Sequence, residues 1–217
     1  MFPNAKKGVG RIFIAEILAV IGAAVAIVAG IIVIVGAIAG SAAQSEAIGV
    51  GSVATGGALA LASGVVLVVA FVINLVGLIN AKQDDDRFRI AFFAMLVSII
   101  TSVVASIFAS SNPTLNNILE TIANVFNLAS TIFVILGIMS LAEKLNNPDM
   151  VKRGNTIIKL ITASYVLAIV GNICAVIFRA TSAVVLAGVF ETVASVVSLV
   201  SYIIYLIYLA SAKKMLA

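Results

Sequence analysis

Six stretches of this chain are too long and too apolar to be covered by water, and they set the terms for everything else it can do. A bilayer hydrocarbon core of about 30 Å takes roughly 20 apolar residues wound as a helix. Residues 12–39 form such a run, interrupted only by Glu16, and residues 55–79, 90–109, 113–142, 156–178 and 182–210 form five more. No water reaches the bilayer core to satisfy backbone groups, so each run must bond its own N–H and C=O groups as a helix. The expected fold is all-α: a polytopic integral membrane bundle of six transmembrane helices forming one transmembrane domain. Composition closes the alternative. Only 10% of the 217 residues are charged and 63% are hydrophobic, whereas a soluble domain carries about 25% charged residues.

The connections carry turn and cap signals. Residues 41–54, rich in Gly, Ser and Ala, are expected to form a small polar loop. Asn112-Pro113 reads as a helix start, a capping side chain followed by proline at the first helical position. Asn147-Pro148-Asp149 is a break between two runs. The chain then divides into three tandem hairpins, at about residues 1–82, 83–147 and 148–217.

Positive charge orients them. Lys6, Lys7 and Arg11 precede the first run, and Lys82, Arg87 and Arg89 lie between the second and third. Lys144, Lys152, Arg153 and Lys159 flank the next even-to-odd connection, and Lys213 and Lys214 follow the sixth run. Of the thirteen basic residues only Arg179 falls on the other side. Cytoplasmic loops carry the excess of Lys and Arg, so both termini are expected inside, in a multi-pass protein of a bacterial-type cytoplasmic membrane. The basic start, the apolar run and Ala37-Ile38-Ala39 loosely resemble a cleavable signal peptide. A signal's apolar region is about 7–15 residues, and this run is nearly twice that, so retention is expected.

Hairpins two and three show an internal repeat. ILETIANVFNLASTI, residues 118–132, aligns without a gap on VFETVASVVSLVSYI, residues 189–203. The match of Glu120-Thr121 with Glu191-Thr192 is its most informative part, because acids are rare here. Hairpin one matches less well and has no acid opposite Glu120. Parallel repeats of this kind imply a pseudo-symmetry axis along the membrane normal.

The repeat also carries the candidate site. Glu120, Asn124, Asn127 and Thr131 step by four, three and four, which places them on one helical face. Glu191, Ser195, Ser198 and Tyr202 do the same in the sixth run, and Thr162, Tyr165, Asn172 and Arg179 share a face of the fifth. An ionisable group inside a bilayer costs about 2.5–3.5 kcal/mol on insertion scales, so it faces protein or water and has a partner. Glu120 and Glu191 with Arg179 would make an outer-half cluster of two acids and one base, with the spare charge neutralised by a proton or cation. A purely structural role, with Asn and Ser acting as interhelical glue, competes with that reading.

Glu16 and Lys159 lie at similar depth near the cytoplasmic face and are expected to form a structural ion pair. Gly22, Ala26 and Gly30, and likewise Gly56, Ala60 and Gly64, form small-residue faces that allow close helix approach, within the chain or between copies. Asp84-Asp85-Asp86 stands beside Lys82, Arg87 and Arg89, and mutual neutralisation is the expected role.

Much chemistry is excluded at the outset. Without histidine, and with Cys174 alone inside an apolar run, disulfides, Cys/His metal sites and histidine-dependent triads are ruled out. No phosphate-binding loop or nucleophile elbow occurs, and no basic stripe suits nucleic acid. No cofactor and no catalytic residue is expected. The tandem hairpins resemble those of mitochondrial carriers in arrangement, but the Pro-x-Asp/Glu-x-x-Lys/Arg signature is missing at Pro3, Pro113 and Pro148. In size and helix number the chain is similar to the substrate-binding subunits of energy-coupling-factor transporters, a likeness of topology that implies no activity. Two functions remain: a small ion or solute transporter or channel with a polar site in the outer half, or a non-catalytic scaffold or accessory subunit that binds other membrane proteins.

Overall fold

The computed structural model describes the backbone of residues 2–42, 46–180 and 184–216. It describes side chains over the same residues apart from 40–49, 113, 171–192, 194 and 195. Six helices follow one another: α1 (Pro3–Ala42), α2 (Glu46–Ala81), α3 (Asp86–Phe108), α4 (Pro113–Lys144), α5 (Pro148–Ala180) and α6 (Val184–Met215). All six are long and apolar enough to cross a membrane. The chain is a multi-pass membrane protein.

The helices run further than the apolar runs. α1 has 40 residues and α2 has 36, about 60 and 54 Å at 1.5 Å per residue, so both exceed a bilayer hydrocarbon core. The polar loop expected over residues 41–54 is a correction: α1 continues to Ala42 and α2 begins at Glu46. Glycine costs a helix only about 1 kcal/mol against alanine. Each backbone hydrogen bond contributes about 0.5–1.5 kcal/mol, so residues 46–54 wind into α2 instead of looping.

Helix starts follow the cap chemistry. Asn112 accepts a hydrogen bond from the Leu115 amide (3.1 Å) ahead of Pro113, and Asn147 accepts one from the Met150 amide (3.2 Å) ahead of Pro148. Asn146, with φ of 53°, makes the left-handed turn between α4 and α5, a conformation that asparagine tolerates better than most residues.

The chain divides into two units, residues Gly10–Gly77 and residues Met1–Val9 with Leu78–Ala217. In the first, glycines let α1 and α2 approach. A Cβ on Gly22 would stand 3.0 Å from Leu67, and one on Gly56 would strike Val33 and lie 3.0 Å from the Ala29 carbonyl. Asn74 donates to the Glu16 carboxylate (3.3 Å) across the same pair. Gly30 and Gly64 have nothing near them, and Ala26 and Ala60 are exposed. The small-residue faces are therefore used in part between α1 and α2 and are otherwise open.

In the second unit α3 packs on α4, α5 on α6, and α4 on α5. Its core gathers toward the basic helix ends, where Phe88, Ile135, Ile138, Leu141, Tyr208 and Leu209 are almost fully buried. Serines stitch the pairs. Ser98 donates to the Ala123 carbonyl (2.8 Å), Ser130 to the Ala91 carbonyl (2.9 Å), and the Ser164 and Ser201 hydroxyls bond each other.

Candidate functional site

The polar face of α4 lies beside its packing face, not within it. Ala123 and Ser130 are buried against α3. Glu120, Asn124 and Asn127 are exposed, and Thr131 is half-buried with its hydroxyl donating to the Asn127 carbonyl (3.2 Å). Counted from Pro113 at 1.5 Å per residue, the four lie at about 10, 16, 21 and 27 Å along the helix. They therefore extend over about 17 Å of the helix, roughly half the thickness of a bilayer core. Among the described residues, no side chain bonds to those of Glu120, Asn124 or Asn127.

The side chains of Asn172, Arg179, Glu191 and Ser195 lie outside the described residues. On α6, Ser198 is exposed and Tyr202 half-buried, its ring 6.3 Å from that of Tyr205. On α5, Thr162 is exposed and Tyr165 half-buried. Of the deeper pair, Glu16 is bonded to Asn74 within the first unit, and Lys159 belongs to the second.

The acidic triplet does more than neutralise its neighbours, and each aspartate has a separate task. Asp84 accepts from the Ala5 amide (2.6 Å) and from the Asn4 side chain (3.3 Å), so it places a carboxylate on the first turn of α1. An anion at a helix N-terminus is worth about 0.3–1 kcal/mol. Asp85 caps α3 by accepting from the Arg87 amide (3.0 Å). It also accepts from the Ser140 hydroxyl (2.6 Å) and the Lys144 ammonium (3.2 Å) of α4. Burial pushes the Asp85 carboxyl up, but the Ser140, Arg87 and Lys144 donors together outweigh it and hold the group below its ordinary value. Among the described residues, Asp86 makes only an exposed pair with Arg89 (3.5 Å), of a kind worth about 0–1 kcal/mol. Arg87 donates to the Leu136 carbonyl (2.8 Å), and Lys82 stands 5.2 Å from the centre of the Phe92 ring. The triplet is thus a junction of α1, α3 and α4. Spacing alone gives no sign of this, because the partner groups are backbone amides and the side chains of Asn4, Ser140 and Lys144, far along the chain.

Two hollows open at the basic end of α5. One, of ≈ 830 Å³, has Glu143, Asn146 and Asn147 on one side and Lys152, Asn155 and Lys159 on the other. The second, of ≈ 400 Å³, lies between α5 and α6 beneath Lys152 and Arg153. Among the described residues, no group of three His, Cys, Asp or Glu side chains is placed to hold a metal ion.

No family model, no curated protein and no solved structure matches the chain. Function has to be argued from the site itself.

Proposed function

We propose that the chain is a small transporter or channel-type protein for an ion or polar solute, non-catalytic, whose polar α4 face lines the path. The observation that carries this reading is the position of Glu120, Asn124 and Asn127, exposed together along one face of a spanning helix. A bare carboxylate facing hydrocarbon costs about 2.5–3.5 kcal/mol even on the mildest scale, so this face meets water or protein. In the outer half Glu191 and Arg179 complete the cluster, and Asn172, Ser195, Ser198 and Tyr202 continue the lining. Two acids and one base leave a negative charge for a proton or a cation to neutralise. Three tandem hairpins with both termini cytoplasmic, and an origin of hairpins two and three in one repeat, complete the proposal. Ser130 and Ser201, which the repeat aligns, are both buried and both bonded across a helix pair, which supports that origin. Glu16 and Lys159 are assigned a structural role.

A second reading, a scaffold or accessory subunit, is favoured by the open side of α2. Ala60, Leu61, Gly64 and Val68 line an apolar hollow of ≈ 430 Å³ there, and a small-residue face suits another membrane helix.

Single-cysteine labelling separates the two. In a Cys174→Ser background, cysteines replace Asn124, Asn127 and Ser198, with exposed apolar positions Val125 and Val196 as controls. A membrane-impermeant thiol reagent is expected to label the polar positions and spare the controls. If the polar positions stay silent with the protein locked open to either side, the face is dry. The transport reading then fails in favour of a protein partner.

A further inference from the structure

The groove between α5 and α6 combines two properties. Its floor is apolar, formed by Ile157 of α5 with Ile204 and Ile207 of α6, and its rim is basic, formed by Lys152 and Arg153. Ile157 is buried, Ile204 half-buried and Ile207 exposed, so the floor slopes from the helix seam out toward lipid. Lys152 and Arg153 are both exposed, and among the described residues neither forms an ion pair. The nearest acids by position are Asp149, one turn earlier on α5, and Glu143, which borders the polar hollow and not this groove. Lys214, three residues beyond Ser211, extends the same face of α6 and is also exposed.

Tyr208 also lines the groove, with its hydroxyl buried and without a hydrogen-bond partner among the described residues, and two further hydroxyls add direction. The Thr156 hydroxyl donates to the Lys152 carbonyl (3.1 Å) and the Ser211 hydroxyl to the Ile207 carbonyl (2.9 Å). Both hydroxyls have spent their single proton on their own helices and offer only lone pairs to a ligand. The groove thus supplies charged donors at its mouth, hydroxyl acceptors just inside, and hydrocarbon below. Its volume of ≈ 400 Å³ falls in the range of small-molecule sites, about 300–1,000 Å³.

We propose that this groove binds an anionic phospholipid with a hydroxyl-bearing headgroup, of the phosphatidylglycerol type. Lys152 and Arg153 hold the phosphate, Thr156 and Ser211 accept from the headgroup hydroxyls, and one acyl chain lies over Ile157, Ile204 and Ile207. Basic pockets between membrane helices on the cytoplasmic side suit such headgroups, and the distribution of positive charge puts this end of α5 and α6 there. The proposal does not depend on transport.

The test uses the full-length protein in detergent. Bound lipid is counted by native mass spectrometry, and thermal stability is read in parallel. The probes are phosphatidylglycerol, phosphatidylmethanol, phosphatidylcholine and inorganic phosphate. One phosphatidylglycerol is expected to stay on each chain, phosphatidylcholine is expected to wash off, and inorganic phosphate is expected to give no stabilisation at equal concentration. Lys152→Gln with Arg153→Gln should weaken retention roughly thirtyfold. Lys7→Gln with Arg11→Gln, the same loss of charge elsewhere, should leave retention unchanged within about twofold. Thr156→Val with Ser211→Ala should keep binding but erase the preference for phosphatidylglycerol over phosphatidylmethanol. Equal losses in the two charge variants would reduce the effect to bulk attraction and overturn the site. So would retention of phosphatidylcholine to the same extent, while stabilisation by inorganic phosphate alone would replace the lipid site with one for a free anion.

Discussion

In the α3–α4 pair the aromatic knob, Phe88, stands on the first helix, and Gly137, which receives it, stands on the second. In the α5–α6 pair the glycine, Gly154, is on the first helix and the aromatic, Tyr208, on the second. Gly137 and Tyr208 occupy matching places when Glu120 is aligned with Glu191. Each pair therefore buries one large ring against one bare backbone, with the parts exchanged between helices. The exchange has a cost on one side only. Phe88 has no polar atom to satisfy, whereas the Tyr208 hydroxyl is buried against Gly154 with no hydrogen-bond partner among the described residues. A large side chain can thus be set against glycine from either helix of a pair, but only a wholly apolar ring is buried there without leaving an orphan group.

The comparison is broken most severely at the glycines. A Cβ on Gly137 would stand 2.8 Å from two atoms of the Phe88 ring, where unstrained carbon contacts need about 3.5–4.0 Å. Gly137→Ala should cost about 1–3 kcal/mol through overpacking, read as a drop in thermal unfolding in detergent. At Gly154 the Cβ would meet the Met139 side chain and, at 2.7 Å, the Tyr208 hydroxyl. Methionine is flexible and can move aside, so Gly154→Ala should cost less. Phe88→Leu should partly rescue Gly137→Ala. Equal costs at the two glycines, or the absence of rescue, would show that the Phe88 ring does not set the cost at Gly137.

The caps differ in charge, and this sharpens the contrast. α3 is capped by a carboxylate tied to α4, and α5 by the neutral Asn147. Losing a cap costs about 0.5–2 kcal/mol. Asp85→Ala should fall at the top of that range because it also frees Ser140 and Lys144, and Asn147→Ala nearer the bottom. Only the first should depend on pH. The folded Asp85 carboxyl lies below its ordinary value. Its stabilisation is therefore complete above the unfolded-chain pKa of about 3.9 and lost as pH falls through the lower folded value. The gap in melting temperature between wild type and Asp85→Asn should narrow as the pH falls below about 4, while that of Asn147→Ala holds. A gap that stays constant would mean that Asp85 is not charged in the folded protein.

Removing the orphan oxygen tests the other half of the comparison. A buried polar group without a partner costs about 1–3 kcal/mol, so Tyr208→Phe should be neutral or stabilising, against the trend for mutations in a packed core. A clear loss of stability on Tyr208→Phe would mean that the hydroxyl is satisfied after all.

The physics behind these contrasts was unevenly legible in the chain. The six spans and the Asn-Pro starts of α4 and α5 follow from hydropathy and cap chemistry, which are local and read directly. The helical course of residues 46–54 is not legible, because Gly and Ser weaken a helix without excluding it. The polar face of α4 was visible as a four-three-four spacing. That its packing face lies one residue aside, on Ala123 and Ser130, depends on which rotation α3 adopts, and no periodicity specifies that. The tasks of Asp84 and Asp85 and the groove under Lys152 and Arg153 belong to the same class, since each rests on groups brought together from distant parts of the sequence.

The smallest expected effect concerns Ser130 and Ser201, which match when Glu120 is set on Glu191. Ser130 donates to a carbonyl of the neighbouring helix, while Ser201 meets the Ser164 hydroxyl. Both members of the latter pair also have a carbonyl of their own helix within bonding distance, Leu160 for Ser164 and Val197 for Ser201. Interhelical hydrogen bonds in membranes average about 0.6 kcal/mol. Ser130→Ala should lose about that much, because the Ser130 proton has the Ala91 carbonyl as its target and nothing replaces it. Ser201→Ala should lose less, since Ser164 can keep its proton on Leu160. A double-mutant cycle on Ser164 and Ser201 should give a coupling near zero, and one on Ser98 and Ser130 should be additive because the two bonds share no atom. If instead Ser201→Ala costs more than Ser130→Ala, the Ser164–Ser201 contact is the principal polar tie of its pair. The resemblance between the two aligned serines would then be one of position and not of energy.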